Sequence, residues 1–121
     1  MKWSVLNDIE QLDEIRRDSR DNIVMIYKHS TRCSTSRLVL DRLERSWKEE
    51  EMAGVSTYFL DLIAYRELSN MVASLFNVHH ESPQVLLIQD GRSIRDFSHF
   101  EIDYPSIYGQ IKANLTDSEK M

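Results

Sequence analysis

The sequence predicts one α/β domain built on a mixed sheet of four to five strands, with helices on both faces. Apolar runs of strand length alternate with amphipathic helical patterns, which is typical of parallel crossover units. Asp90-Gly91 lies between two strand-like runs and is a hairpin signal, so one edge of the sheet is antiparallel. At 121 residues the chain fits a single domain, which we place at residues 1–115, followed by a flexible tail at 116–121.

The first half of the chain contains two predicted helices around a buried strand. A short strand near residues 4–6 precedes residues 7–20, where apolar residues recur at helical spacing behind cap residues. Residues 23–27 form a continuous apolar run rich in β-branched side chains, which indicates a central strand covered on both faces. Residues 34–51 are again amphipathic, with a charged face opposite an apolar one, and predict a long helix.

The second half repeats the alternation and then closes the sheet. Residues 55–62 read as a strand, and residues 65–76 as a helix with apolar residues on one side. Two strands follow at Gln84–Gln89 and at residues 93–98, joined by the hairpin. A closing helix starts at Asp103, with a proline near its first turn, and carries apolar residues as far as Leu115.

Composition and charge exclude several functional classes. A net charge of −5 and a pI near 5.3 disfavour binding to nucleic acid or to an anionic membrane, because proteins that bind either partner normally carry an excess of basic residues. The longest apolar run is too short to cross a bilayer, and acidic residues interrupt the amino terminus where a secretory signal would be apolar. We therefore expect a cytoplasmic protein with no nucleic-acid partner and no membrane partner.

The chain has one cysteine, Cys33. A lone cysteine cannot close an intramolecular disulfide, and it excludes a four-cysteine zinc or iron-sulfur site within one chain. Two interpretations of Cys33 remain, namely a small buried hydrophobic residue and a reactive thiol.

The position of Cys33 favours the reactive thiol. It follows the first central strand and begins the long helix, where unpaired backbone amides and the helix dipole stabilise a thiolate relative to a thiol. Residues 28–37 contain Lys28, Arg32 and Arg37 but no acidic residue, although the whole chain is acidic. A basic segment around the only thiol is not typical of a core position.

Ser36 occupies the place of the second cysteine in a Cys-x-x-Cys motif, so residues 33–36 form a Cys-x-x-Ser arrangement. In such a site the hydroxyl of Ser36 can donate a hydrogen bond to the thiolate, but it cannot expel a mixed disulfide. Helix capping is the alternative role for Ser34, Thr35 and Ser36.

Pro83 directly precedes the strand at Gln84–Gln89. The order of elements is the one used by the thioredoxin fold, although other α/β domains share it. In that fold a cis-proline at this point faces the active cysteine and leaves the backbone of the preceding residue, here Ser82, free to pair with an extended substrate. A trans-proline at a strand start is the alternative.

The histidines do not predict a metal site. His79 and His80 are adjacent, so on an extended segment they point in opposite directions, and no cysteine-rich or aspartate-rich set accompanies them. We expect surface or loop-anchoring roles for both, and His29 is a candidate modulator of the thiolate.

Three stretches of the chain resemble the YtxJ-like monothiol bacilliredoxins of the bacillithiol system. They are residues 28–36, with the sequence Lys-His-Ser-Thr-Arg-Cys-Ser-Thr-Ser, residues 60–62 together with Tyr65-Arg66, and residues 80–88 around Ser82-Pro83. The resemblance covers nearly the whole chain and keeps the order and spacing of the motifs. In one departure, many members have Thr-Cys-Pro-Ile-Ser where this chain has Arg-Cys-Ser-Thr-Ser at residues 32–36.

The resemblance implies a thioredoxin-like fold and a debacillithiolation activity. In that mechanism the Cys33 thiolate attacks a protein-bacillithiol mixed disulfide, takes the bacillithiol onto itself and releases the client as a free thiol. A low-molecular-weight thiol or a reductase system then regenerates Cys33. Bacillithiol is thus a co-substrate, and no tightly bound cofactor is implied.

The predicted site follows from the residues and the resemblance together. Cys33 is the catalytic residue. Its thiolate is stabilised by Arg32, Ser34 and Ser36. The carboxylates of the bacillithiol malate group are expected to meet basic side chains through charge-assisted hydrogen bonds. The predicted substrate-binding residues are Lys28, Thr31, Arg37, Ser82 and Pro83.

Other functions stay open at this stage. A monothiol-glutaredoxin-like iron-sulfur carrier would pair two chains around one cluster, but the Gly-Phe usual after its cysteine is Ser34-Thr35 here. A one-cysteine peroxidase is disfavoured because Ile26 stands where those enzymes have proline. The remaining alternative is a non-catalytic thioredoxin-like interaction module.

Overall fold

This computed structural model describes residues 1–119, and side chains for residues 1–115. Strands and helices alternate along most of this part of the chain. In chain order the elements are β1 (Ser4–Val5), α1 (Gln11–Asp18), β2 (Val24–His29), α2 (Ser34–Ser46), β3 (Ser56–Asp61), α3 (Arg66–Leu75), β4 (Gln84–Gln89), β5 (Arg92–Ser98), a short 3-10 turn (His99–Glu101) and α4 (Tyr104–Glu119). None of the helices within this range combines the length and the apolarity that a membrane crossing demands.

The strands form one mixed sheet in the order β1-β3-β2-β4-β5. The first three are mutually parallel, whereas β4 runs antiparallel to both of its neighbours. Asp90 and Gly91 connect β4 to β5, and both have positive φ angles (53° and 74°), as a two-residue hairpin turn of this kind requires. The predicted fold class, an α/β domain on a mixed sheet with an antiparallel edge, is confirmed.

Two hydrophobic layers cover the two faces of the sheet. One layer contains Tyr27 and Val85 with the apolar sides of α2 and α4. The other contains Ile26 and Leu86 with the apolar sides of α1 and α3. All residues of β2 are buried, as its continuous apolar run predicts, and successive side chains along it point into opposite layers.

The ends of three helices differ from the prediction. The first helix begins at Gln11, after a turn at residues 9–10, and the side-chain Oε1 of Gln11 accepts hydrogen bonds from the backbone N–H groups of Asn7 and Asp8. The second helix ends at Ser46, since Trp47 has an extended backbone (ψ 130°) and its ring packs against Tyr104. The last helix continues past Leu115 to Glu119, while residues 120 and 121 of the predicted tail lie outside the described residues.

Three segments meet at the carboxyl end of the parallel strands. His29 at the end of β2 pairs with Asp61 at the end of β3. On the other side, Lys28 pairs with Gln84, the first residue of β4. The loop between β2 and α2 therefore lies beside the segment that enters β4, and this edge of the sheet holds the residues that sequence analysis selects.

Candidate active site at the start of the second helix

Cys33 is the N-cap residue of α2. Its backbone is extended (φ −111°, ψ 118°), and its carbonyl oxygen accepts the first helical hydrogen bond from the N–H of Arg37 at 3.3 Å. Its own N–H donates to the carbonyl oxygen of Ser30 at 3.2 Å. The side chain makes no capping hydrogen bond and is partly exposed. The thiol thus lies at the molecular surface, at the positive end of the helix dipole.

Four polar residues around Cys33 reach solvent. Thr31, Arg32, Ser34 and Arg37 are exposed, and Arg37 lies one turn along the helix from Cys33. Within the described residues no carboxylate forms a salt bridge with Arg32 or Arg37. Both guanidinium groups are therefore available to an anion that approaches the thiol.

Ser36 is completely buried and serves the loop rather than the thiol. Its Oγ accepts a hydrogen bond from the N–H of Ser30 (3.1 Å) and lies 2.7 Å from Nδ1 of His29, to which the hydroxyl donates when the neutral ring carries its proton on Nε2. Burial lowers the pKa of His29, which favours the neutral ring that this acceptor role needs. Among the described residues no hydrogen bond joins Ser36 to Cys33, so the predicted contact with the thiolate is not formed here.

Lys28 does not lie where the prediction places it. Its side chain is fully buried in the layer covered by α1 and α3, on the opposite face of the sheet from Tyr27. Nζ donates to the carbonyl oxygen of Ser69 at 3.1 Å and lies 3.3 Å from Nδ1 of His80. Burial lowers the pKa of Lys28 to about 8. The predicted contact between Lys28 and a substrate carboxylate therefore does not fit this structure.

Ser82 and Pro83 lie at the start of β4, opposite the end of β2, and the peptide bond between them is cis. The carbonyl oxygen of Pro83 accepts a hydrogen bond from the N–H of His99 at 3.1 Å. No described residue forms a backbone hydrogen bond with Ser82, and none pairs with its buried hydroxyl. Its backbone groups thus have no partner within the described part of the chain.

Sequence analysis missed the buried residue that supports this segment from β4. Gln84 is only 1% exposed, and its Nε2 donates to the carbonyl oxygen of His79 at 2.9 Å. Its Oε1 accepts a hydrogen bond from the N–H of Glu81 at 3.4 Å. The sequence does contain a signal for this role, namely a glutamine at the start of an otherwise apolar strand. A glutamine that is buried there must find hydrogen-bond partners.

The histidines near this segment pair with a carboxylate. Glu81 lies 3.8 Å from Nε2 of His79 and 3.2 Å from Nε2 of His99. Over the described residues, no group of three histidine, cysteine, aspartate or glutamate side chains is arranged to hold a metal ion.

Comparisons with known proteins agree with this geometry. The family model of the monothiol bacilliredoxin BrxC matches residues 4–107. The solved structure of a proposed oxidoreductase with a thioredoxin fold is 28% identical, covers 89% of this chain and 91% of its own, and superposes with a TM-score of 0.74. Thioredoxin from Malassezia sympodialis is 15% identical, with a TM-score of 0.70 over 93% of this chain and 90% of its own. Thioredoxin from Fasciola hepatica is 16% identical, with a TM-score of 0.66 over 90% of this chain and 96% of its own.

The family match includes both the loop that carries Cys33 and the segment that carries Ser82 and Pro83. The thioredoxins share the fold, and family and fold together support a thiol-disulfide redox function. The predicted family is confirmed: this chain belongs to the monothiol bacilliredoxin BrxC family.

Proposed function

We propose that this protein removes bacillithiol, or a similar low-molecular-weight thiol, from mixed disulfides on client proteins, with Cys33 as the catalytic residue. One observation carries the proposal. The only cysteine of the chain lies partly exposed at the N-cap of α2, with its side chain unused by the cap, in a family of monothiol bacilliredoxins. A thiol in this position is reachable by a disulfide and needs no second cysteine for a first exchange.

The exchange proceeds in two balanced steps. The Cys33 thiolate attacks the bacillithiol sulfur of the mixed disulfide, a new S–S bond forms to Cys33, and the client sulfur leaves as a thiolate that takes a proton from water. A second bacillithiol thiolate then attacks the bacillithiol sulfur on Cys33. This step releases the Cys33 thiolate and a bacillithiol disulfide, which a reductase system must reduce.

The neighbours of Cys33 have distinct roles in this proposal. The amides at the start of α2, with Arg32 and Ser34, stabilise the thiolate. Arg37 and Arg32 also meet the malate carboxylates of bacillithiol. Thr31 lines the approach to the thiol from the loop side.

The client itself is held by its backbone. An extended client segment pairs with the unpartnered backbone groups of Ser82, beside Pro83, by adding a short strand. The reaction therefore has three kinds of partner, which are bacillithiolated client proteins, a low-molecular-weight thiol and a regenerating reductase. A reducing compartment such as the cytoplasm keeps Cys33 available between turnovers.

The proposal is tested by following the adduct. We expect a bacillithiolated client to lose its adduct when it is incubated with the wild-type protein, and intact-mass spectrometry to find one bacillithiol on Cys33. The variant Cys33→Ser should neither gain the adduct nor release the client, because a serine hydroxyl cannot displace a disulfide at neutral pH. Ser46→Ala, an exposed hydroxyl deletion at the far end of α2, is the matched control and should behave as wild type.

Three outcomes contradict the proposal. Equal client release by the wild type and Cys33→Ser would remove Cys33 from the reaction. No transfer by the wild type would favour the non-catalytic interaction module, and coloured protein after anaerobic purification would favour the iron-sulfur carrier.

A further inference from the structure

Lys28 and Gln84 form a buried polar support beneath residues 79–83, the segment that carries Ser82 and Pro83. The two residues are cross-strand neighbours on β2 and β4, so their side chains share the face covered by α1 and α3. Lys28 is 0% exposed and Gln84 is 1% exposed. Both side chains turn their polar ends toward the segment that enters β4.

The support holds successive residues of the segment. The amide group of Gln84 donates to the carbonyl oxygen of His79 and accepts from the N–H of Glu81. The ammonium of Lys28 bonds to the carbonyl oxygen of Ser69 in α3 and to Nδ1 of His80. Lys28 thus links residues 79–83 to α3 through its two hydrogen bonds.

Burying this ammonium is unfavourable for folding. No carboxylate of the described residues forms a salt bridge with Lys28, so its hydrogen bonds only partly offset the lost hydration. A methionine would fill similar space at less cost. Because the charge of Lys28 does not improve the packing of this layer, we attribute its role to the two groups it contacts, Ser69 and His80.

We propose that Lys28 is a positioning residue for client exchange, because its ammonium anchors His80 to α3 and thereby fixes the backbone of Ser82 beside Cys33. The inference rests on the proposed function, since Ser82 is the group with which the client pairs. It differs from the role given to Lys28 by sequence, because the side chain acts from beneath the segment and touches neither bacillithiol nor client.

The first test compares two substrates in Lys28→Met. We expect kcat/KM for a bacillithiolated protein client to fall about tenfold, because a small displacement of a substrate-positioning group is costly. The rate with a small aromatic disulfide, dithionitrobenzoate, should change less than about twofold, since this probe does not pair with Ser82. Leu60→Met is the matched control, because Leu60 is buried in the same layer, pairs with Lys28 from β3 and makes no polar contact. It should leave both rates unchanged.

The second test is a pH profile, which a merely structural role would not produce. The anchor is strongest with a charged Lys28, because an ammonium donates stronger hydrogen bonds than a neutral amine, and with a neutral His80, whose Nδ1 can accept one. Burial lowers the pKa of Lys28 to about 8. The pKa of His80 is lowered first by burial and then by the charges of Lys28 and Arg66. Glu81 raises this pKa, and His79 lowers it. We therefore expect the anchor to be intact near neutral pH and to weaken on both sides.

The measured quantity is the ratio of the client rate to the dithionitrobenzoate rate, which cancels pH effects common to both reactions. In the wild type this ratio should fall as the pH rises through about 8 and fall again when His80 gains a proton. In Lys28→Met it should stay flat. A flat wild-type ratio would overturn the inference even where the variant does not fold.

Amide hydrogen exchange separates this inference from the proposed function. The amides of residues 80–82 should exchange faster in Lys28→Met and at the wild-type rate in Leu60→Met, whether or not any client reacts. Faster exchange without bacillithiol release by the wild type would reject the proposed function and retain the anchor. Unchanged exchange in Lys28→Met, together with an unchanged client rate, would reject the anchor.

Discussion

Lys28 and Tyr27 show how a central strand gives adjacent residues opposite surroundings. Tyr27 packs against Trp3 and Phe59 and donates its hydroxyl to the carbonyl oxygen of Ser36, whereas the ammonium of Lys28 lies in the layer under α3. The apolar layer does not stabilise the charged form of Lys28 well. The free energy of the folded state therefore depends on whether Lys28 carries its proton.

The stability of the protein should increase with pH in a defined window because of Lys28. Its pKa falls from the ordinary 10.5 to about 8 on folding. Between these values the unfolded chain binds a proton that the folded chain has released, so the free energy of unfolding rises with pH. We expect the difference between the wild type and Lys28→Met to move in favour of the wild type by about 2 kcal/mol from pH 7 to pH 9.5.

Urea unfolding of both proteins at the two pH values measures this difference, and the subtraction removes the groups that titrate in both. A difference that is the same at both values would show that Lys28 does not lose its proton in this window. Below pH 8 Lys28 is charged in both states, so no further change is expected there from this residue.

Residues whose role depends on local sequence could be predicted, and those whose role depends on register could not. The position of Cys33 follows from a strand end and a helix start, and that of Pro83 from a proline ahead of a strand. The burial of Lys28 depends on which face of the sheet it takes, and a count of basic residues between 28 and 37 treats it as an exposed cation. The pairing of Ser36 with His29 likewise depends on the fold, since it joins the end of β2 to the first turn of α2.

At the scale of elements, the second helix begins on a residue that is poor at beginning helices. Serine, threonine, aspartate and asparagine are the preferred N-cap residues because their side-chain oxygens satisfy free amides of the first turn. Cys33 holds this position in α2 and forms no such bond. The helix α2 therefore lacks a stabilising side-chain cap at the position of the partly exposed Cys33.

Replacing Cys33 by serine should therefore stabilise the fold while it removes the thiol. We expect Cys33→Ser to unfold with a free energy about 1 kcal/mol higher than Cys33→Ala, because only the serine can accept a hydrogen bond from a first-turn amide. Chemical denaturation of the two variants measures this. Equal stabilities would mean that the start of α2 is already satisfied without a side-chain cap.

The existence of the four α-helices follows from hydrophobic periodicity, but helix ends depend on contacts with other residues. Asn7 and Asp8 resemble N-cap residues, and Oδ1 of Asp8 does accept a hydrogen bond from the N–H of Glu10, but α1 begins only at Gln11. At the end of α2, the ring contact between Trp47 and Tyr104 draws the chain away from the helix although the charged pattern continues. The contact between Trp47 and Tyr104 joins residues far apart in the chain and has no local signal.

At the scale of the whole molecule, a basic edge stands on an acidic protein. The chain has a net charge of −5, yet Arg32 and Arg37 are exposed beside Cys33. Within the described residues neither forms a salt bridge. An anionic substrate is thus attracted only at close range, where these two side chains outweigh the general repulsion.

Salt and charge substitutions should affect anionic adducts selectively. We expect Arg37→Gln to lower kcat/KM for a bacillithiolated client about threefold to tenfold at low salt, since it loses a charge-assisted hydrogen bond, and to have little effect at about 1 M salt. Arg42→Gln, an exposed arginine farther along α2, is the matched control and should react as wild type. The same client carrying an uncharged thiol such as mercaptoethanol should react equally with all three proteins. An equal loss for both adducts would place Arg37 outside malate recognition.

The pairing of Ser36 with His29 has a kinetic consequence for the proposed cycle. In a Cys-x-x-Cys motif the second thiol can displace such an adduct from within, whereas here that position is occupied by the hydroxyl of Ser36, which already contacts His29. The lifetime of an adduct on Cys33 is then set by how often an outside thiolate collides with it, so it lengthens as the cell's supply of reduced thiol runs down. The fraction of molecules carrying the adduct would therefore rise as that supply falls.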